Sequence, residues 1–295
     1  MSRSPVHFKT PRHARAVGEA YAAAVAHWPA GHRRIELVTG QGRTHVIVCG
    51  RADAPPLVLL HGAASTAASW LHYVTAWAAH FHIHAVDVIG EAGPSAASRP
   101  PLSGDAHARW LAEVLDGLRL ERAAFAGISL GAWLALDLAL RCPRRVKRLA
   151  LLCPPGIGRQ RAFLWWALPL LALGESGRAI VRRQVLGELP RPVTPAELAS
   201  RRLMDEIDRG FRPRRETIPV FADEALQGLR APTLVIVGGR DVMLDSRHTR
   251  DRLGRLAPQA RVELLPAQRH FIHGQRERIL DFLCEGDDHD DRSCR

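Results

Sequence analysis

Gly127, Ile128, Ser129, Leu130 and Gly131 spell G-x-S-x-G, between the apolar run Ala123–Ala126 and a helix-like stretch that runs to about Arg141. Two glycines around a serine at a strand-to-helix corner let the backbone turn sharply and leave the hydroxyl exposed. That arrangement suits attack on a carbonyl carbon. The competing reading is a turn serine that merely caps a helix. Ala132–Leu140 weighs against it, being apolar on nearly every face except at Asp137, as befits a helix buried behind a reactive serine.

A serine hydroxyl is a weak nucleophile near neutral pH, so a base must take its proton and a carboxylate must orient that base. Asp241 and Asp245 are the candidate acids, and His270, His273 and His248 the candidate bases. Functional side chains of a parallel sheet gather at the carboxyl ends of its strands. Asp241 follows the run Leu234–Val237 and His270 follows Val262–Leu265, so this pair is favoured. Asp245 lies farther into the loop and reads as a helix N-cap, His273 as the start of the last helix, and His248 as a surface residue of a polar helix. A tetrahedral intermediate also needs two prearranged N–H donors for its oxyanion. The amides of Ala63, just past the run Leu57–Leu60, and of Leu130 are expected to supply them, with His61 a structural loop histidine. No His, Asp and Glu group has metal-ligand spacing, so neither metal nor cofactor is expected.

The elements that must position these residues read as follows. Ala14–Trp28 has helical apolar spacing, and Ile35–Val38 and Thr44–Cys49 read as a hairpin around Gly40–Gly42. From Leu57 onward, short apolar runs alternate with helical stretches: Leu57–Leu60, Ile83–Val88, Ala123–Ala126, Leu149–Cys153, Leu234–Val237 and Val262–Leu265. Runs of this kind are strands buried on both faces, and their alternation with helices implies an α/β fold around a mostly parallel sheet with helices on both faces. The alternation lapses over residues 154–231. Structureless loops beyond about fifteen residues are uncommon, so this stretch is expected to be a helical cap that includes Arg178–Leu186 and Pro195–Ile207. The core is then 1–153 with 232–284, and the acidic stretch 285–295 is expected to be a disordered tail.

With 295 residues, 46% of them apolar and 24% charged, the chain is expected to form one core with an insertion, not two independent domains. The net charge of +11 comes almost entirely from arginines scattered through every segment, Lys9 and Lys147 being the only lysines. No recognition motif accompanies the charge, so a nucleic-acid partner is not expected. The longest apolar run, Ala162–Leu173, falls short of the roughly twenty residues of a membrane span and contains Pro169, so no membrane association is expected. Five cysteines, odd in number and without a C-x-x-C pair, suit a reducing compartment, and together with the absence of a secretory segment they point to the cytoplasm.

Five motifs together resemble the α/β-hydrolase family, in its bacterial carboxylesterase-like branch. They are PPLVLLHG (Pro55–Gly62), VDVIGEAGPS (Val86–Ser95), GISLG (Gly127–Gly131), GGRD (Gly238–Asp241) and RHFIHG (Arg269–Gly274). The resemblance implies Ser129 as nucleophile, Asp241 as acid, His270 as base and the Ala63 and Leu130 amides as the oxyanion hole. It also implies a small-molecule acyl substrate, water as the second reactant and an acyl-enzyme on Ser129. Serine at 129 argues against dehalogenase and epoxide-hydrolase relatives, which use aspartate there. Carbon–carbon bond hydrolases and acyltransferases share the triad and stay open, as does a non-catalytic binding relative. Arg269 stands where relatives often have glycine. Trp70, Trp133, Trp165 and Trp166 are candidates to line an acyl cleft, and Glu91 reads as a solvated residue beside its mouth.

Overall fold

Proline's fixed φ suits the first turn of a helix, and the Thr10 hydroxyl accepts the His13 N–H, so α1 (Pro11–Val25) starts earlier than its apolar spacing indicates. In the computed structural model, which describes residues 7–161, 167–170, 172–188 and 191–285, it is followed by the expected hairpin of β1 (Arg33–Thr39) and β2 (Gly42–Cys49). Then come β3 (Pro56–Leu60), α2 (Leu71–Trp77), β4 (His82–Val86), α3 (Ala106–Gly117), β5 (Ala123–Ile128), α4 (Leu130–Arg141) and β6 (Val146–Leu152). The chain continues through α5 (Gly174–Leu186), α6 (Pro195–Gly210), α7 (Asp223–Gln227), β7 (Thr233–Gly238), α8 (Ser246–Leu256), β8 (Arg261–Leu265) and α9 (Arg276–Cys284).

The strands form one eight-stranded sheet in the order β1-β2-β4-β3-β5-β6-β7-β8. The β1/β2 and β2/β4 pairs are antiparallel, and all the others are parallel. Strand order reverses around β3: the chain first moves out to β4, then crosses back to β5 on the other side. Leu60 at the end of β3 pairs with Gly127 near the end of β5, so the loops after these strands emerge side by side. A crevice at such a switch point is where open α/β sheets bind ligands.

Successive side chains of a strand point to opposite faces, and here each face carries its own core. Leu57, Leu59, Ala124 and Ala126 pack with Val17, Trp77, Ile207 and Phe282, under α1, α2, α6 and α9. Val58, Leu60, Ala123 and Phe125 pack with Trp110, Leu115, Leu134 and Leu253, under α3, α4 and α8. The β3 leucines are fully buried, so truncating one to alanine costs about 2–5 kcal/mol. Burial on both faces does not hold for β8, whose residues are exposed or half-buried: it is the edge strand, paired only with β7.

Between β6 and β7 lie α5, α6 and the short α7. A capping box of Thr194 and Glu197, with Pro195 in the first turn, starts α6. Its far end is tied to the N-terminus: Lys9 N–H donates to Gly210 O at 2.8 Å, Arg212 N–H to His7 O at 2.8 Å, and the Phe8 and Phe211 rings meet edge-on. Gly210 has no Cβ because His13 occupies that space. The N-terminal helix therefore packs on the insertion as well as on the sheet. No helix among the described residues is long and apolar enough to cross a membrane.

Candidate active site

The carboxyl end of β5 runs straight into α4, and Ser129 stands at the corner with φ 49° and ψ −113°. A non-glycine residue in that region is strained by about 1–3 kcal/mol and persists only where its surroundings hold it. Its N–H donates to Leu152 O at 2.8 Å and its carbonyl accepts the Trp133 N–H at 3.0 Å. The flanking glycines serve close approach. A Cβ at 127 would lie 2.6 Å from the Ala132 backbone, and one at 131 would overlap the Leu60 carbonyl oxygen. The motif is thus a packing requirement between α4 and the neighbouring strands as much as a conformational one.

Asp241 follows β7 and His270 follows β8, and two glycines bring their loops together. A side chain at Gly238 would collide with the Arg269 carbonyl, and a Cβ at Gly239 would lie 2.8 Å from Pro266. Without those side chains, Arg240 N–H reaches Gln268 O at 2.9 Å and Gly239 N–H reaches Leu265 O at 2.8 Å. Asp241 is buried, and its Oδ1 accepts the N–H groups of Met243 at 2.7 Å and Leu244 at 3.0 Å. Its Oδ2 accepts His270 Nδ1–H at 2.7 Å. A carboxylate can only accept, so the ring proton sits on Nδ1 and leaves Nε2 with a lone pair. That nitrogen lies 3.0 Å from Ser129 Oγ and accepts its hydroxyl proton. Three residues spread over more than a hundred positions are thereby joined in one hydrogen-bonded chain.

The competitors have other occupations. Asp245 caps α8 through the His248 N–H at 3.0 Å. His248 is half-buried and accepts the Arg159 N–H on Nδ1 at 3.0 Å. His273 is partly buried and its pKa is lowered chiefly by desolvation. His61 is the structural loop histidine expected: fully buried, it donates Nδ1–H to Gly62 O at 2.8 Å and accepts the Val88 N–H on Nε2 at 3.0 Å. Burial pushes its pKa down to about 4 and keeps it neutral.

The loop bearing Ala63 passes directly over the serine, since a Cβ on Gly62 would lie 3.6 Å from Ser129 Cβ. Leu130 opens α4, and first-turn N–H groups have no partner within their own helix. Ala64 adopts φ 50° and donates its N–H to Glu91 Oε2 at 2.6 Å. Glu91 is not solvated: it is 5% exposed, and burial raises its pKa to about 7 against the opposing pull of the Ala64 N–H and the charges of Arg99 and Arg214. Nothing in its sequence neighbourhood distinguishes it from a surface glutamate, because the partner lies in a different βα loop.

Two of the expected cleft tryptophans are packing residues. Trp70 is fully buried against Tyr73 and Trp77, and Trp133 stacks on Phe221 while donating Nε1–H to Pro219 O at 3.0 Å. Both rings are almost fully buried, as large aromatic side chains packed between elements are. Trp165 and Trp166 lie outside the described residues. Arg269 does not crowd the histidine. Its guanidinium turns to α5 and donates to the Gln184 carbonyl at 2.9 Å and to its side-chain oxygen at 2.7 Å.

Folding also assembles a group that sequence spacing does not reveal. The Cys153 thiol, an Asp241 oxygen and a His270 nitrogen all lie within 4.8 Å of one another. Cys153 is buried at φ 45°, and burial, then the Asp241 charge, push its thiol pKa well above the usual range. A protonated thiol beside a carboxylate already bonded to two amides and an imidazole is a poor metal ligand. The four described cysteines are free, and Cys294 lies outside the described residues.

The profile of the Alpha/beta hydrolase family matches residues 57–282. The carboxylesterase YbfK of Bacillus subtilis (strain 168) is 28% identical over 284 residues, spanning 91% of this chain and 93% of that protein. The crystal structure of this esterase, also called CesB, superposes with a TM-score of 0.80 at 27% identity, over 93% of this chain and 99% of that one. The naproxen esterase of Bacillus subtilis superposes with a TM-score of 0.79 at 26% identity, covering 92% and 98%. A 2-hydroxy-6-oxo-2,4-heptadienoate hydrolase of Pseudomonas putida is 24% identical over 257 residues, spanning 79% and 90%. With its sheet order, its serine corner and a profile match over most of its length, this chain belongs to the alpha/beta hydrolase family, and within it is similar to the carboxylesterases.

Proposed function

We propose that this protein is a carboxylesterase-like serine hydrolase that cleaves a small carboxylic ester through an acyl-enzyme on Ser129. The observation that carries the reading is the contact of Ser129 Oγ with His270 Nε2 at 3.0 Å, with Asp241 2.7 Å behind the ring. In the first half-reaction His270 Nε2 takes the hydroxyl proton as Oγ attacks the ester carbonyl. The carbonyl oxygen, now anionic, is stabilised by the amides of Ala63 and Leu130. Collapse of the intermediate expels the alcohol, which receives the proton from His270, and the acyl group stays on Ser129. Water then repeats the sequence and releases the acid. Asp241 keeps Nδ1 protonated throughout and stabilises the imidazolium.

Residues 154–231 act in this proposal as a cap over the site. The Arg269–Gln184 contacts and the packing of Trp133 on Phe221 support that role. The free cysteines among the described residues suit a reducing compartment, and we place the enzyme in the cytoplasm. Fluorophosphonate labelling and turnover of aryl esters of graded acyl length test the reading. Wild type is expected to be labelled and active, and Ser129→Ala to be neither while keeping its melting temperature; an active Ser129→Ala enzyme would refute it. Because the heptadienoate hydrolase is also a relative, a vinylogous diketone belongs in the panel, and its faster turnover would favour carbon–carbon bond cleavage by the same triad.

A further inference from the structure

We propose that Glu91 is a positioning residue for the oxyanion hole: its buried carboxylate grips the Ala64 N–H and thereby sets the direction of the Ala63 amide. The inference rests on the serine-hydrolase reading. Hydrogen bonds tie the loop after β3 to the loop after β4. His61 Nε2 accepts the Val88 N–H at 3.0 Å, Ala67 N–H donates to Asp87 Oδ1 at 2.8 Å, and Ala64 N–H donates to Glu91 Oε2 at 2.6 Å. The first two fix the ends of the segment. The third holds its middle, next to Ala63.

That middle is also where the backbone is strained. Ala64 sits at φ 50°, a region in which an alanine does not stay unless held, and rotation there reorients the preceding peptides. Glu91 is itself held rigidly. Its neighbour Gly90 donates N–H to Ala96 O at 2.8 Å and accepts Arg99 Nε–H at 2.8 Å, and Asp87 is anchored by the Tyr21 hydroxyl at 2.6 Å. A carboxylate is costly to bury, and this one is 5% exposed with its oxygen directed at a single backbone amide of the loop that covers the serine.

The test compares Glu91→Ala and Glu91→Gln with wild type, using an aryl ester, with kcat counted per serine titrated by fluorophosphonate. Removing one oxyanion donor typically costs about 10²–10³ in kcat, so a misdirected donor in Glu91→Ala is expected to cost about tenfold to a hundredfold, with KM within about threefold of wild type. Affinity for a trifluoromethyl ketone, whose hemiketal oxygen occupies the same hole, should fall in parallel. Glu91→Gln, whose amide oxygen accepts the same N–H, should recover most of the loss. Adding Ala64→Gly to Glu91→Ala should recover part of it, because glycine adopts positive φ without strain. A kcat per titrated serine within twofold of wild type in Glu91→Ala, or a loss that resides in KM and leaves ketone affinity untouched, overturns the proposal. If Glu91→Ala does not fold, the same split is read on Glu91→Gln, where any loss of kcat must be matched by a loss of ketone affinity. Wild type that is neither labelled nor silenced by Ser129→Ala would instead sink the serine-hydrolase reading.

Discussion

Replacing Asp241 by asparagine exchanges one oxygen for an NH₂ group of almost equal size, and the structure dictates which way the new amide must face. The Asp241 Oδ1 position receives two backbone N–H groups, from Met243 at 2.7 Å and Leu244 at 3.0 Å. An NH₂ there would set donor against donor and leave both backbone groups unsatisfied, at about 1–3 kcal/mol each. The amide oxygen therefore stays with the backbone and the NH₂ faces His270. It then donates to Nδ1, the ring proton moves to Nε2, and the base presents a donor to Ser129 Oγ where it must present a lone pair. The expected loss is on the order of 10⁴ in kcat, or about 5.5 kcal/mol of barrier, with KM and melting temperature near wild type. Steady-state turnover gives the magnitude, and ¹⁵N chemical shifts of His270 report which nitrogen bears the proton. If Asp241→Asn kept more than about a tenth of wild-type kcat, or if Nδ1 still carried the proton, the assignment of Asp241 as the orienting acid would be wrong.

Three further outcomes are expected. Gly131→Ala drives a methyl into the Leu60 carbonyl, so urea melts should show a loss of at least about 1–3 kcal/mol together with loss of activity; a stable, active variant would contradict the close packing of α4 on β3. Arg269→Ala removes both contacts to Gln184, and trypsin should cut the 154–231 segment faster in it than in wild type; equal cleavage rates would show that Arg269 does not hold the insertion. Four buried groups with large shifts contribute to the pH dependence of stability. Burial lowers the pKa of His61 to about 4, of His84 to about 3 and of His107 to about 4, and raises that of Glu91 to about 7. Between the ordinary values of 4.5 for glutamate and 6.5 for histidine, the unfolded chain binds three more protons on these histidines and the native state one more on Glu91. From these four groups the unfolded state has a net excess of two protons, so their contribution to stability falls as pH drops through this window, by about 3 kcal/mol per pH unit. Urea melts across it that show flat or rising stability toward acid would contradict the burial of the neutral histidines.

Periodicity and punctuation made most of the architecture legible. Short apolar runs bounded by Gly, Pro and Asp read as strands, covered on both faces except at the edge strand β8, so the α/β class and six parallel-sheet strands could be read in order, with ends off by up to three residues. G-x-S-x-G was readable because its two glycines answer to contacts with adjacent elements of the chain. That Asp241 and His270 would meet at one edge of the sheet was readable because strand ends constrain them. What no local pattern encodes is which loops meet. Glu91 looks like any loop glutamate until the loops after β3 and β4 lie side by side, and only then is it seen to be buried on Ala64. Cys153 is an unremarkable strand-end residue until β7 and β8 bring Asp241 and His270 against its thiol. Trp70 and Trp133 illustrate the converse, since an aromatic near a motif carries no signal of which side of the element it faces, and packing sent both inward. The residues of the proposed triad were written in the linear sequence, whereas those that hold them in place became visible only through contacts between distant segments, because positioning depends on distances that close when the chain folds.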